Sequence, residues 1–210
     1  MLESSKEIGK YEEPLLRSVK RLFQHQGYTV LTHARLNVAW SKVISDIDVL
    51  AVSNEKIIMV EVKSDHDCFY KGFKQLEKLK GFSDELYIAT NRQIINFKGD
   101  KWRDPSIGLI TITNGLADIA RPAVPIQGLC TGEVISLLKK KCLVRLASLL
   151  NIPKCLPKQE MERRLRENFD SADLKEIVKS LILCDNECDS SCSLEPFLIT
   201  SCNNVKRAQK

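Results

Sequence analysis

Asp48, Glu61 and Lys63 carry the chemistry this sequence can offer. They lie in the stretch Val43 to Ser64, VISDIDVLAVSNEKIIMVEVKS. It reads as two strands, Val43 to Val52 and Lys56 to Lys63, joined by the turn residues Ser53 and Asn54. Strand side chains alternate between faces, so Asp46 and Asp48 share one face, and Glu61 and Lys63 share one face. The second strand begins with an unbroken apolar run, Ile57 to Val60, the mark of a strand covered on both sides. Burying an unpaired charge costs several kcal/mol, so Glu61 and Lys63 at the end of such a strand must be solvated, paired with each other, or gathered around a metal. A solvated strand end is the plainer of these alternatives. Asp48, thirteen residues before Glu61 on a hairpin partner, favours the last of them. Two converging carboxylates with an amine beside them make a hard, oxygen-rich site for Mg²⁺ or Mn²⁺.

Several elements must position those groups. Glu12 to Gln26 has Leu15, Leu16, Val19, Leu22 and Phe23 at helical spacing, and Gly27 stops it. Pro14 fits best in a first turn, which puts the predicted start near Tyr11 or Glu12. Glu12 then lies on the inward edge and can add to the acidic site, while Glu13 leans away; either acid also complements the helix dipole. Tyr28 to Leu36 reads as a strand. After Lys63, Asp65 or Asp67 can cap a helix whose inward face is Phe69, Phe73, Leu76 and Leu79. Gln75 sits next to that face, where its amide either supports the acids, reaches a phosphate, or is simply exposed. His66 between two aspartates reads as an exposed loop histidine or a metal ligand. His25 and His33 have no identifiable partner.

Glu85 to Thr90 and Ile107 to Thr113 are further strands, and Asn114-Gly115 is a strong turn before Leu116 to Ala120. A strand, a helix and another strand make a parallel crossover natural. Pro122 and Pro125 mark a boundary. The predicted fold class is therefore α/β, a mixed sheet flanked by helices over residues 1–125, followed by a small all-α domain.

As an ordered set, these residues resemble the PD-(D/E)xK phosphodiesterase superfamily. The set is a helix with Glu12, a strand with Asp48 in DVLA, then EVK after an apolar run, then a helix with Gln75. This is the restriction-endonuclease-like fold shared by junction resolvases, RecB-type nucleases and Mrr-like enzymes. The resemblance covers about residues 8–120. The proline of the superfamily's name is absent, since Asp46-Ile47 precedes Asp48. The wording VEVKSDHD and then FKQLEKLKGFSDELYIAT is most similar to small bacterial and phage members with a helical C-terminal extension. The resemblance implies a metal-dependent nuclease hydrolysing phosphodiester bonds in DNA, with endonuclease activity favoured over exonuclease activity. Asp48, Glu61, the Val62 carbonyl and Glu12 would hold Mg²⁺ or Mn²⁺, which activates water and neutralises phosphate charge. Lys63 would orient the attacking water and stabilise the transition state, with Gln75 in support. A homodimer or larger nuclease assembly is compatible with it. The alternative is a nucleic-acid-binding or assembly protein that keeps the fold but cuts poorly, against which the intact Asp, Glu and Lys positions argue.

Net charge is +5 over 210 residues, unevenly spread. Residues 126–183 hold 11 Lys and Arg against 7 Asp and Glu, whereas residues 1–125 hold 18 against 16. The basic surplus points to a polyanion partner in the middle segment. There a helical stretch, Thr131 to Leu150, precedes an Asn-Ile-Pro turn, a basic stretch and ERRL, a pattern that resembles a SAP or LEM-like motif. The resemblance implies that Lys154, Lys158, Arg163 and Arg164 meet nucleic-acid backbone; a helical lid with solvated charges is the alternative. A third helix, Ser171 to Cys184, closes this unit. The tail, 184–210, carries Cys184, Cys188, Cys192 and Cys202; Zn²⁺ would want tetrahedral thiolates, but the doubled knuckle is missing and reduced thiols are the expectation. Cys68, Cys130, Cys142 and Cys155 are scattered and read as core or incidental. The start, MLESSKEIGK, lacks a signal peptide's apolar core and no apolar run approaches a membrane span, which predicts a cytoplasmic protein without a membrane partner.

Overall fold

A computed structural model of the chain describes residues 4–37, 44–92, 104, 106–126, 135, 138, 140–169 and 171–186. Two compact units are present. One comprises Met1–Arg35 with Ser45–Leu129, and the other Cys130–Lys210 with the short Leu36–Ile44 stretch.

The first unit is an α/β structure on a six-stranded mixed sheet. Its elements are α1 (Ser4–His25), β1 (Thr29–Asn37), β2 (Ile44–Val52), β3 (Ile57–Lys63), α2 (Phe69–Leu79), β4 (Glu85–Thr90), β5 (Ile107–Thr113) and β6 (Leu116–Arg121). The strands lie in the order β1-β2-β3-β4-β5-β6. β2 runs antiparallel to β3, with Val49 opposite Val60 and Val52 opposite Ile57. The turn between them is closed by Ser53, whose hydroxyl accepts the N–H groups of Glu55 and Lys56 at 3.2 Å each. β4 lies parallel to β3 and to β5, because a helix or a long segment intervenes each time. β5 and β6 form an antiparallel hairpin. Its turn has Asn114 at φ 52° and Gly115 at φ 77°, the two left-handed residues that an Asn-Gly turn supplies.

Alternation along β3 sorts the core into two layers. Ile58, Val60 and Val62 face α1, where they join Leu15, Leu16, Val19 and Phe23. Burying side chains of this size contributes roughly 1.5–3 kcal/mol each. The other face, with Ile57, Met59, Leu86 and Ile88, is buried on the side where α2 contacts β3 and β4. The Gly27 stop of α1 has a defined geometry: Tyr28 N–H reaches the Phe23 carbonyl at 3.0 Å and Gly27 N–H the Gln24 carbonyl at 3.0 Å. Gly27 is left-handed at φ 83°, and the Phe23 and Tyr28 rings meet edge to face at 5.7 Å, completing the cap.

Two local expectations fail. Helix α1 starts at Ser4, not near Tyr11, and carries Pro14 inside it. Proline's fixed φ is itself helical, so Pro14 removes one hydrogen bond and crowds one turn without ending the helix. The helix α2 is preceded by Cys68 with no side-chain cap. Asp67 turns back instead, accepting the Ser64 N–H at 2.8 Å and the Ser64 hydroxyl at 2.5 Å.

The second unit is helical, with α3 (Lys140–Leu149), α4 (Lys158–Asn168) and α5 (Ser171–Asn186). Helix α3 ends where the Asn-Ile-Pro turn was expected. Asn151 is left-handed at φ 56°, and Ile152 N–H bonds the Ala147 carbonyl at 2.9 Å. Leu143, Leu146, Ile152, Met161, Leu165, Leu174, Val178 and Leu181 are buried in this unit. Residues 131–134, Cys130, Cys188, Cys192 and Cys202 lie outside the described residues, and the zinc reading with them. Cys142 is buried, while Cys68 and Cys155 are exposed; none of the three is in a disulfide. Among the described residues no helix is long and apolar enough to cross a membrane.

Candidate active site

The β2–β3 hairpin brings the first two candidates together. Continuing its register by one residue sets Asp48 opposite Glu61, and directly opposed residues project to the same face. That face is the one α2 covers, since Val60 and Val62 point to α1. Asp48 is fixed by its Oδ2, which accepts the Val62 N–H at 2.8 Å. Glu61 is only 1% exposed. Lys63, two residues along the same strand, places its Nζ 2.5 Å from Glu61 Oε1 and donates to the Val62 carbonyl at 3.2 Å. The Glu61–Lys63 contact is thus a buried ion pair.

Electrostatics follow from that crowding. Burial, then the neighbouring Asp48 carboxylate, pushes the Glu61 carboxyl up from 4.5 to about 7, against the pull of Lys63. Burial likewise raises Asp48, opposed by the Val62 N–H and by Lys63. For Lys63, burial works downward, but Glu61, Asp48 and Glu12 outweigh it and hold the ammonium above its ordinary value. Two carboxylates and an ammonium thus form one coupled group.

Glu12, on α1, lies in the same electrostatic field. Burial raises the Glu12 carboxyl, and it feels Lys63, Asp48, Asp67 and His33. Glu13 instead pairs with Arg17 at 3.3 Å on the exposed side. Gln75 is half-buried on α2. His66 stacks edge to face on Tyr11 at 5.4 Å. Two neighbours of the acids escaped the sequence reading. His33, assigned no partner, acts electrostatically on both Glu12 and Asp48. Asp67, read as a helix cap, acts on Glu12 and binds Ser64. Only β-strand adjacency reveals His33; nothing in its own sequence neighbourhood marks it.

The oxygens of Asp48, Glu61, Glu12 and the Val62 carbonyl are all hard donors. That chemistry fits Mg²⁺ or Mn²⁺. Among the described residues no three His, Cys, Asp or Glu side chains form a ready-made metal cage. The geometry alone makes a carboxylate pair with a lysine.

No protein family matches the chain. No curated protein is similar to it either. Two solved structures are similar in part. One is the SPO1766 protein of unknown function from Silicibacter pomeroyi, at 20% identity over 70% of this chain and 96% of that one, with a TM-score of 0.46. The other is a protein of unknown function, AF1548, at 17% identity over 83% of this chain and 100% of that one, with a TM-score of 0.36.

The basic candidates of the helical unit have mixed fates. Lys154 is exposed in the loop before α4. Lys158 lies 3.5 Å from the buried Glu162. Arg163 and Arg164 both bind Glu160, at 2.7 and 2.8 Å, and Arg163 also binds Glu167. Their two guanidinium groups hold the Glu160 carboxyl down at about 2. These cations are thus engaged within their own helix, and a phosphate would have to compete with Glu160 for them.

Proposed function

We propose that this chain is a Mg²⁺- or Mn²⁺-dependent nuclease of the PD-(D/E)xK type, with a restriction-endonuclease-like fold in its first unit, hydrolysing phosphodiester bonds in DNA. The observation that carries the reading is the buried carboxylate pair, Asp48 opposite Glu61, with a single ammonium, that of Lys63, 2.5 Å from Glu61 Oε1. Two buried carboxylates beside one ammonium leave a negative charge that a proton or a further cation offsets. The element order supports the same reading: a helix with Glu12, then the strands with Asp48 and Glu61-Val62-Lys63, then the Gln75 helix.

In this mechanism Asp48, Glu61 and the Val62 carbonyl would hold the cation, and Glu12 would contribute from α1. When bound, the cation supplies Lewis-acid activation and neutralises charge on the scissile phosphate. Lys63 donates toward the phosphoryl oxygens, where negative charge grows as the attacking oxygen arrives. Its ammonium is already fixed by Glu61 and Val62, so little reorganisation is needed at the moment of reaction. Proton and cation compete for the same carboxylates. Because Glu61 holds its proton up to about pH 7, divalent affinity should weaken as pH falls below 7.

The deciding experiment is cleavage of labelled duplex, branched and single-stranded DNA and of RNA, with Mg²⁺, Mn²⁺ or a chelator, alongside divalent calorimetry. Metal-dependent cleavage of DNA that a chelator abolishes is the expected result. No cleavage of any substrate, together with no divalent binding that depends on Asp48, would overturn the proposal.

A further inference from the structure

We infer that Gly72 is a positioning residue for Lys63, an inference that rests on the proposed role of that lysine. Gly72 is buried in the interior of α2, where glycine costs stability relative to alanine. Its φ is not positive, so its backbone conformation does not call for glycine. The requirement comes from across the helix–sheet interface. A Cβ at this position would lie 3.3 Å from both Cγ and Cε of Lys63 and 3.2 Å from Ile88 Cδ1. The bare backbone of α2 is therefore one wall of the slot in which the lysine stem runs, and Ile88 is another.

The far end of that stem is the functional end. Nζ is held against Glu61 Oε1 at 2.5 Å and the Val62 carbonyl at 3.2 Å. A methyl group at position 72 must push something by a few tenths of an ångström. Ile88 is fully buried in the core, whereas the Lys63 side chain keeps some access to solvent, at 13%. The lysine is the softer neighbour and gives way first. Asp48 and Glu61 are set by the β2–β3 hairpin, and the three atoms nearest a Cβ at Gly72 belong to Lys63 and Ile88, not to either acid. A methyl there therefore misplaces the ammonium and leaves the carboxylates in place.

The test uses the full chain and four proteins: wild type, Gly72→Ala, Gly72→Ala with Ile88→Val, and Lys63→Met. For Gly72→Ala, cleavage should fall about tenfold to a hundredfold, the scale of a small misplacement of a catalytic group, and the loss should be carried by kcat with KM unchanged. Its Tm should be equal or higher, and its Mn²⁺ affinity by calorimetry should stay within about twofold, because the carboxylates do not move. Ile88→Val removes the competing Cδ1, so the double variant should regain most of the lost rate. Full activity of Gly72→Ala beside an inactive Lys63→Met would overturn the role of Gly72 and leave the nuclease reading intact. Tm and cleavage falling together, with no recovery in the double variant, would make Gly72 an ordinary packing position. Wild-type cleavage by Lys63→Met would instead remove the reading on which the inference rests.

Discussion

Strand β3 has a lysine–glutamate pair at each end, and the two pairs are built to opposite specifications. At its start, Lys56 Nζ meets Glu85 Oε1 at 2.6 Å, and Tyr87 donates its hydroxyl to Glu85 Oε2 at 3.0 Å. The Tyr87 oxygen in turn accepts the Ala123 N–H at 3.3 Å. Packing locks this network: a Cβ on Gly108 would come within 2.3 Å of the Tyr87 ring. Both carboxylate oxygens of Glu85 have a donor. At the other end, Glu61 has the Lys63 ammonium against one oxygen, and a second carboxylate, Asp48, stands opposite. The first pair is satisfied and complete without anything else. In the second, burial and the Asp48 carboxylate raise the Glu61 carboxyl to about 7 against the pull of one lysine.

The sharpest break between the two ends should appear in cleavage. Lys63→Met keeps most of the apolar stem and removes the ammonium, so single-turnover cleavage should drop about a hundredfold or more, the scale of one transition-state stabiliser. Divalent affinity should hold or rise slightly, because a cation has left the neighbourhood of the carboxylates. Asp48→Asn should lose both metal affinity and cleavage. Equal metal binding by Asp48→Asn in calorimetry would dissolve the carboxylate pair and return Glu61 to a strand end.

Stability should show the reverse ranking. Glu85→Ala leaves the Tyr87 hydroxyl and Lys56 without their acceptor, and urea denaturation should register a loss of about 1–3 kcal/mol, moderated because Lys56 is 41% exposed. Its cleavage rate per folded molecule should stay at the wild-type value.

Glu61→Gln should do the opposite in metal-free protein. Below about pH 4.5 the carboxyl is protonated in folded and unfolded chains alike, so the substitution is neutral there. Between 4.5 and about 7 the unfolded chain releases its proton first, and the folded state loses stability as pH rises. Above 7 the full cost is present, and Glu61→Gln should be more stable than wild type by about 1–3 kcal/mol. A flat difference between the two proteins from pH 4 to 8 would contradict the strain assigned to this end. The smallest effect belongs to Tyr87→Phe, about 1 kcal/mol of stability for one buried hydroxyl and no change in cleavage.

Much of this was legible locally. The alternation in DIDVLAV and IIMVEVK placed Asp48, Glu61 and Lys63 on defined faces, and Asn-Gly and Gly27 produced the turn and the helix stop expected of left-handed residues. Pro14 is a poor marker of the start of α1, because one lost hydrogen bond does not end a helix. The capping role given to Asp65 or Asp67 failed because Ser64 competes for the Asp67 carboxylate.

The sequence by itself determined which residue types end β3 and how far apart they stand, because period-two alternation and turn chemistry are local properties of the chain. Only the tertiary structure decided what those residues meet. The β2–β3 register set Asp48 against Glu61, α1 brought Glu12 and β1 brought His33 into the same field, and α2 laid Gly72 on the Lys63 stem. Each is a contact between segments distant in sequence, fixed by sheet order and layer packing. Strand pairing closes the Lys56–Glu85 network between the start of β3 and β4, whereas Glu61 and Lys63 share one strand and face Asp48 across the hairpin.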